Sequence, residues 1–275
     1  MVQAYPHYNA ELLTTSISSS LNPGATPQIL REIGRGLTCI TYEALGANST
    51  SIILKRPLQP SVEDVAAFTR EAQLMQSLPP HPNICSFLWA NLQQENIYIC
   101  YEYLSGGSLA DLIYSRELSV DEISDILLQV ATGMSFLHSH HVLHRDLKST
   151  NVMLDGNGVA KICDFGVSRY EASDMTAETG TYRWMAPEVI RHEKYSMAAD
   201  VYSFAILAWE LLARDLPFAG MTPVQAAFSV VRANLRPDIP PHTPPEMRSL
   251  LVACWDDVPE KRPSFAEIVR ALDSM

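Results

Sequence analysis

Along the chain, short stretches of alternating apolar and polar residues give way to longer stretches with apolar residues every three or four positions. QILREIG from Gln28, CITYEAL from Cys39 and SIILK from Ser51 alternate and carry β-branched residues between Gly, Asn and Ser, which predicts three strands. Ser61 followed by Asp64 is a helix start signal, and Pro79-Pro80 stops the helix near Leu78. Its apolar stripe is Val65, Phe68, Ala72 and Met75, and Glu71 falls on that stripe, where a carboxylate is costly unless paired. Lys55 ends its strand on the same face as Ile53. Two inward charges of opposite sign can pair, or both can reach out to solvent. NIYICYEYL reads as another strand, and SGGS after it as a connector that places a boundary near Ser105. Beyond it the period becomes helical: Ser119 and Glu122 make a capping box ahead of Ile123, Ile126, Leu127, Val130 and Met134. Before Gln28, TTSISSS and NPGATP have no period, so residues 1–27 read as a flexible linker.

Composition narrows the function classes. A length of 275 residues suits one large domain or two smaller lobes. A net charge of −11 argues against a nucleic-acid or anionic-membrane surface. The most apolar stretch, VYSFAILAWELLA after Asp200, is short and contains Glu210, so it reads as a buried helix rather than a membrane span. MVQAYPHYNAELL has neither a basic nor an apolar signal region. Five scattered cysteines with no C-x-x-C read as thiols of a reducing, cytoplasmic compartment.

The candidate chemistry lies in two places. Gly34 and Gly36 begin a G-x-G-x-x-G pattern whose third position is Cys39. A dinucleotide fingerprint needs a helix next; here a second strand follows, so the glycines sit in a hairpin that could fold over phosphates. Further on, HVLHRDLKSTNVMLDGNGVAKICDFGVSRY gathers Asp146, Lys148, Asn151 and Asp164 around the strand-like runs NVML and AKIC. Singly, each is an ordinary turn residue. Together, a hairpin would bring Asn151 and Asp164 to one hard cation, the sparse oxygen set that Mg2+ prefers.

HRDLKSTN (His144 to Asn151), DFG (Asp164 to Gly166) and APE (Ala186 to Glu188) resemble the eukaryotic protein-kinase family in order and spacing. GTYRWMAPEV, ADVYSF and CWDDVPEKRPSF are most similar to its tyrosine-kinase-like serine/threonine group, which includes Raf-like and mixed-lineage members. The resemblance implies an α+β, bilobal kinase-like fold over 28–275: a small β-rich lobe with one main helix over 28–104, and a larger, mainly helical lobe over 105–275. It also implies ATP, Mg2+ (with Mn2+ as an alternative) and a protein substrate in intracellular signalling. Asp146 would orient the substrate hydroxyl and accept its proton, and Lys148 would steady the γ-phosphoryl. Asn151 and Asp164 would hold the metal. Lys55, anchored by Glu71, would position the α- and β-phosphates. The nucleotide site would draw on Ile33, Gly34, Arg35 and Gly36 of the loop, then Thr41, Ile53 and Tyr101 around the base. Glu102 to Leu104 would form the hinge, with Met153 beneath the adenine and Ser108 and Asp111 towards the ribose. Glu188 would pair with Arg262, and Asp200 would brace the catalytic loop.

Lys148, together with Thr181, fits serine or threonine acceptors, with tyrosine as a second acceptor. Arg145 beside Asp146 is typical of members switched on by activation-loop phosphorylation, and Thr176 and Thr179, ahead of Ser173, are the favoured sites for an upstream kinase or for autophosphorylation. Cys39, Thr41, Ile53 and Tyr101 depart from the family pattern around the nucleotide. A residue other than glycine at position 39 costs roughly 1–2 kcal/mol if the backbone there needs φ > 0, and less if it does not. Losing a general base would cost about 10²–10⁴ in rate, and that base is present. The residues favour an active kinase with altered ATP affinity; the alternative is a pseudokinase that binds nucleotide or partners as a scaffold.

Overall fold

The computed structural model describes residues 26–36, 38–46, 49–93, 96–166, 169–170, 181–194 and 196–275. Most of the linker expected over 1–27, and Ser173, Thr176 and Thr179, lie outside the described residues. The chain forms two compact units: Met1–Ser77 with Ser86–Tyr103, and Leu78–Cys85 with Leu104–Met275.

The first unit is a five-stranded antiparallel sheet with one helix. Its strands are β1 (Gln28–Arg35), β2 (Cys39–Leu45), β3 (Ser51–Pro57), β4 (Phe87–Asn91) and β5 (Tyr98–Glu102), in the order β1-β2-β3-β5-β4. Side chains alternate along β3. Ile52 and Leu54 join Ala44, Tyr98 and Cys100 in a buried cluster on one face, with Tyr42 and Trp89 packed against it. The other face carries Ile53 and Lys55 towards α1 (Val62–Ser77), which packs on β4 and β5. Ser61 caps α1: its hydroxyl accepts from the Asp64 N–H (3.1 Å), and its own N–H donates to the Asp64 carboxylate (3.1 Å). Phe68, Ala72, Leu74 and Met75 are buried on the helix, and Glu71 is buried with them. Alternation gives no sign of β4, whose ladder slips between Phe87 and Trp89, so the residues of FLWAN do not keep a period of two.

The second unit is mainly helical. Its helices are α2 (Leu109–Ser115), α3 (Val120–Ser139), α4 (Pro187–Ile190), α5 (Ala198–Ala213), α6 (Pro223–Ala233), α7 (Pro245–Cys254) and α8 (Phe265–Asp273). Strands β6 (Val142–Leu143) and β9 (Arg169–Tyr170) pair, as do β7 (Val152–Leu154) and β8 (Ala160–Ile162). The capping box expected at Ser119 and Glu122 is present at the start of α3. Leu78–Cys85 belongs here because its polar groups are satisfied here. Asn83 Nδ2 donates to Ala160 O at 3.0 Å, Cys85 N to Ile162 O at 2.9 Å, and His81 stacks on Phe136.

Helix α5 is buried from Ala199 to Leu212, which explains its continuous apolar sequence. Among the described residues no helix is long and apolar enough to cross a membrane. Cys100 and Cys254 lie in the cores, and burial pushes each thiol up to about 12, so both behave as small hydrophobic residues.

Candidate active site

In the first unit, sheet register assembles a charged cluster from residues far apart in sequence. Lys55 faces Ile99 across the β3–β5 ladder and Ile53 faces Tyr101, so Ile53, Lys55 and Tyr101 share the face that α1 covers. Glu71, on the buried stripe of α1, meets them there. Lys55 Nζ lies 3.0 Å from Glu71 Oε1 and 3.1 Å from Oε2. Of the two alternatives open for these charges, pairing is the one adopted. The Glu71 side chain is only 3% exposed and that of Lys55 13%, so the pair offsets a desolvation cost that neither charge could bear alone. The Tyr101 hydroxyl also donates to Glu71 Oε1, at 2.6 Å. Sequence reasoning places Tyr101 beside the nucleotide and misses this bond.

The glycine-bearing hairpin is β1 and β2. Gly36 N donates to Cys39 O at 2.8 Å and closes the turn. Neither Gly34 nor Gly36 has a positive φ, and a Cβ at either would make only ordinary contacts, 3.9 Å to Thr41 Cβ and 3.6 Å to Cys39 O. Cys39 begins β2 in extended backbone and is not among the residues of positive φ. The strain penalty considered for a missing third glycine is therefore not incurred. Thr41 sits opposite Lys55 on β2. Ile33 is exposed, and Arg35 forms an exposed pair with Glu32 at 2.6 Å. Glu102 bridges to Ser86 twice: its side chain accepts from Ser86 N at 2.7 Å, and its own N–H donates to Ser86 O at 3.0 Å.

In the second unit, the segment from His144 to Asn151 is held from α5. Asp200, 1% exposed, accepts from the N–H groups of His144 (2.9 Å) and Arg145 (2.8 Å), and His138 Nε2 lies 2.9 Å from the same carboxylate. Burial alone would raise this carboxyl; the hydrogen bond and charge of His138, the nearby His144 and the Arg145 N–H outweigh it and hold Asp200 below the ordinary aspartate range. These bonds stabilise Arg145 at φ 72°, a left-handed conformation that a bulky side chain rarely adopts. His144 also bridges to Cys163 O (3.0 Å) and packs edge-on against the fully buried Phe165.

Asp146 is fixed on one side only. Its Oδ2 meets Lys148 Nζ at 2.8 Å and accepts from Asn151 Nδ2 at 2.8 Å, while Nδ2 also donates to Asp146 O. Its Oδ1 is buried without a hydrogen-bond partner among the described residues. Lys148 reaches on to Thr181 Oγ1 at 3.1 Å, which ties this loop to the segment before Tyr182. The β7–β8 hairpin closes with Cys163 N donating to Asn151 O at 2.8 Å, so Asn151 and Asp164 emerge side by side. Asp164 is exposed at φ 63°.

This donor set fits a hard cation. Both Asn151 Nδ2 hydrogens point at Asp146, leaving the amide oxygen as the ligand end, and Asp164 adds one carboxylate. No cluster of three or more His, Cys, Asp or Glu suited to a metal occurs among the described residues, so any ion here would complete its shell with oxygens from elsewhere.

Ser108 and Asp111 form the capping box of α2, with Ser108 Oγ 2.6 Å from one Asp111 oxygen. Met153, on β7, bridges to Ser108, and Leu104 is buried. The expected Glu188–Arg262 pair is buried and bidentate, at 2.7 and 2.8 Å.

In the sequence, Glu210 stands out only as a mark against a membrane span. In the fold it is 1% exposed, and accepts from Ser149 Oγ (2.6 Å), Tyr114 OH (3.2 Å) and Trp184 Nε1 (3.2 Å). It thus joins α2, the His144–Asn151 segment and the GTYRW stretch to α5. Burial raises its carboxyl, and these donors draw it part of the way back. A carboxylate in an otherwise apolar buried helix is the signal that could have revealed it.

Residues 28–272 match the family model for protein tyrosine and serine/threonine kinases. Among curated proteins, the chain is 39% identical over 248 residues to the serine/threonine-protein kinase STY17 of Arabidopsis thaliana, a match covering 89% of this chain and 42% of that protein. It is 43% identical over 211 residues to the serine/threonine/tyrosine-protein kinase HT1 of the same plant, covering 75% of this chain and 54% of that one. A third relative there, the serine/threonine-protein kinase STY46, is 41% identical over 212 residues, covering 76% and 37%. The chain spans about half the length of these relatives or less.

Proposed function

The chain belongs to the protein tyrosine and serine/threonine kinase family, and from that premise we propose that it transfers the γ-phosphoryl of Mg-ATP to serine or threonine hydroxyls of a protein. The observation that carries the reading is the one-sided fixing of Asp146. Lys148 and Asn151 occupy Oδ2 and leave buried Oδ1 as the acceptor for a substrate hydroxyl. In this role Asp146 orients the hydroxyl for attack and takes up its proton. Lys148, held between Asp146 and Thr181, places a cation where charge gathers on the phosphoryl. Lys55, held by Glu71, orients the α- and β-phosphates. Asn151 and Asp164 would hold Mg2+, which when bound supplies positive charge against the phosphates.

Support for a protein acceptor comes from an apolar groove of about 230 Å³ beside Thr181, lined by Tyr182, Met185, Val189, Val224 and Phe228, among others. The relatives' names pair serine and threonine in each case and add tyrosine in one; on this chain we assign serine and threonine as acceptors, with tyrosine secondary. Phosphorylation at Thr176 and Thr179 switches the enzyme on in this reading, and it acts in the cytoplasm within a signalling relay. The scaffold alternative has no support in the comparisons.

The test is Mg2+-dependent phosphate transfer from ATP by the purified chain, to itself and to a generic basic protein, beside Asp146→Asn. Transfer that the variant abolishes while keeping its melting temperature is expected. No transfer at millimolar ATP, even after prior phosphorylation by an active kinase, would overturn the reading.

A further inference from the structure

The sequence departs from its family at Tyr101, and the hydroxyl there does something that bulk alone could not. Strand β5 is central in the sheet, between β3 and β4, so the backbone at Tyr101 is paired on both sides. Tyr101 is 7% exposed and its ring lies edge-on to Phe87, with centroids 6.2 Å apart. The phenol oxygen is therefore a donor at a fixed point. It meets Glu71 Oε1 at 2.6 Å, in the short range of hydrogen bonds to an ionised acceptor. That same oxygen takes Lys55 Nζ at 3.0 Å.

The order of dependence follows from stiffness. Lys55 has four rotatable side-chain bonds and Glu71 has three, whereas the tyrosine hydroxyl is carried on a rigid ring. Of the three groups, the phenol has the least freedom to lose. It supplies a reference position for the carboxylate, and the carboxylate supplies one for the ammonium. Methionine, leucine or phenylalanine at this position would fill the same space and leave Glu71 Oε1 with one neighbour fewer.

We propose that Tyr101 is a positioning residue for the phosphate-orienting lysine, acting through Glu71, and that its hydroxyl latches the Lys55–Glu71 pair within the first unit. All three residues lie in that unit. The inference rests on the kinase reading for its catalytic meaning, while the latch itself can be measured without catalysis.

Two readouts on Tyr101→Phe test it. Phenylalanine keeps the ring and its packing and deletes one oxygen. In steady-state assays kcat/KM for ATP should fall about tenfold with KM for the protein substrate unchanged, a size within reach of one lost bond to a charged group. In a Glu71→Ala background the same substitution should change kcat/KM for ATP less than about twofold, because the acceptor it acts through is gone. Separately, the rate at which an amine-directed acylating reagent modifies Lys55, read by mass spectrometry on the unphosphorylated protein, should rise several-fold in Tyr101→Phe. Equal losses in both backgrounds would assign the effect to something other than the bond to Glu71 and overturn the latch, as would an unchanged Lys55 labelling rate. A wild-type chain that transfers no phosphate while its Lys55 labelling responds to Tyr101→Phe would sink the kinase reading and leave the latch standing.

Discussion

Two buried carboxylates, one in each unit, are held in opposite ways. Glu71 is gripped by side chains, the ammonium of Lys55 and the phenol of Tyr101. Asp200 is gripped largely by backbone, through the N–H groups of His144 and Arg145, with His138 added. A side-chain partner can be exchanged by one substitution; a backbone N–H cannot. The departures from the family pattern, at Cys39, Thr41, Ile53 and Tyr101, all fall in the first unit, where partners are exchangeable. HRDLKSTN, DFG and APE are intact in the second, where the chain's own path is the partner. This difference favours altered nucleotide affinity over lost chemistry.

Removing the backbone anchor is the severest way to break that comparison. Asp200→Ala leaves two N–H groups buried without an acceptor and should cost about 3 kcal/mol of stability, read as the unfolding midpoint in urea. Phosphate transfer by the fraction that remains folded should fall more than about 10²-fold, because Arg145 is no longer stabilised at positive φ beside Asp146. A variant of near-normal stability and rate would mean that the loop keeps its shape without α5.

The matching change in the first unit should spare the fold and weaken the handling of nucleotide. Glu71→Gln keeps the shape of the side chain and an acceptor oxygen for Tyr101 or Lys55, and removes the charge. Transfer should fall about 10- to 100-fold, with a melting temperature within about 5 °C of the original. If the melting temperature falls as far as it does for Asp200→Ala, the contrast between the two carboxylates fails.

Acidification probes the same contrast more gently. The Asp200 carboxyl is held below its ordinary value in the folded chain. The folded state therefore binds that proton more weakly than the unfolded one. The resulting stabilisation is fully present above the unfolded value and is lost as pH falls through the lower, folded value. Unfolding free energies of the wild type and Asp200→Asn should accordingly converge as pH drops below the ordinary aspartate range. The convergence should amount to about 1.4 kcal/mol for every tenfold difference in proton affinity between the folded and unfolded chains. A constant gap across that range would show that the backbone bonds do not depend on the charge of Asp200.

How much of this was legible in sequence follows the same division. Periodicity placed β1, β2, β3, β5, α1 and α3, and the inward charges of Lys55 and Glu71 announced themselves by sitting on apolar faces. The spacing around NVML and AKIC indicated the hairpin that brings Asn151 and Asp164 together. Strand β4 was hidden because its ladder slips, and a period of two cannot register a slip. The Tyr101 hydroxyl bond was hidden because it joins residues 30 apart through a sheet register that no local pattern encodes. Glu210 was visible as an oddity but not as a junction, since its three donors come from α2, the His144–Asn151 segment and the GTYRW stretch.

The smallest expected effect concerns the missing third glycine. Cys39 stands in extended β2, paired opposite Pro57, with no positive φ. Restoring glycine relieves no left-handed strain there. It instead adds conformational freedom to the unfolded chain, at a cost of roughly 0.5–1 kcal/mol in a strand. Cys39→Gly should therefore lower the melting temperature by a few degrees and leave KM for ATP within about threefold. The sign is the informative part. A pattern-based view expects glycine to improve nucleotide binding, whereas the backbone conformation here predicts no gain. If KM for ATP falls about tenfold, the position must turn left-handed when nucleotide arrives, since that is the size of the strain a cysteine would then carry. In that case the loop, more than Tyr101, would set how the first unit handles nucleotide.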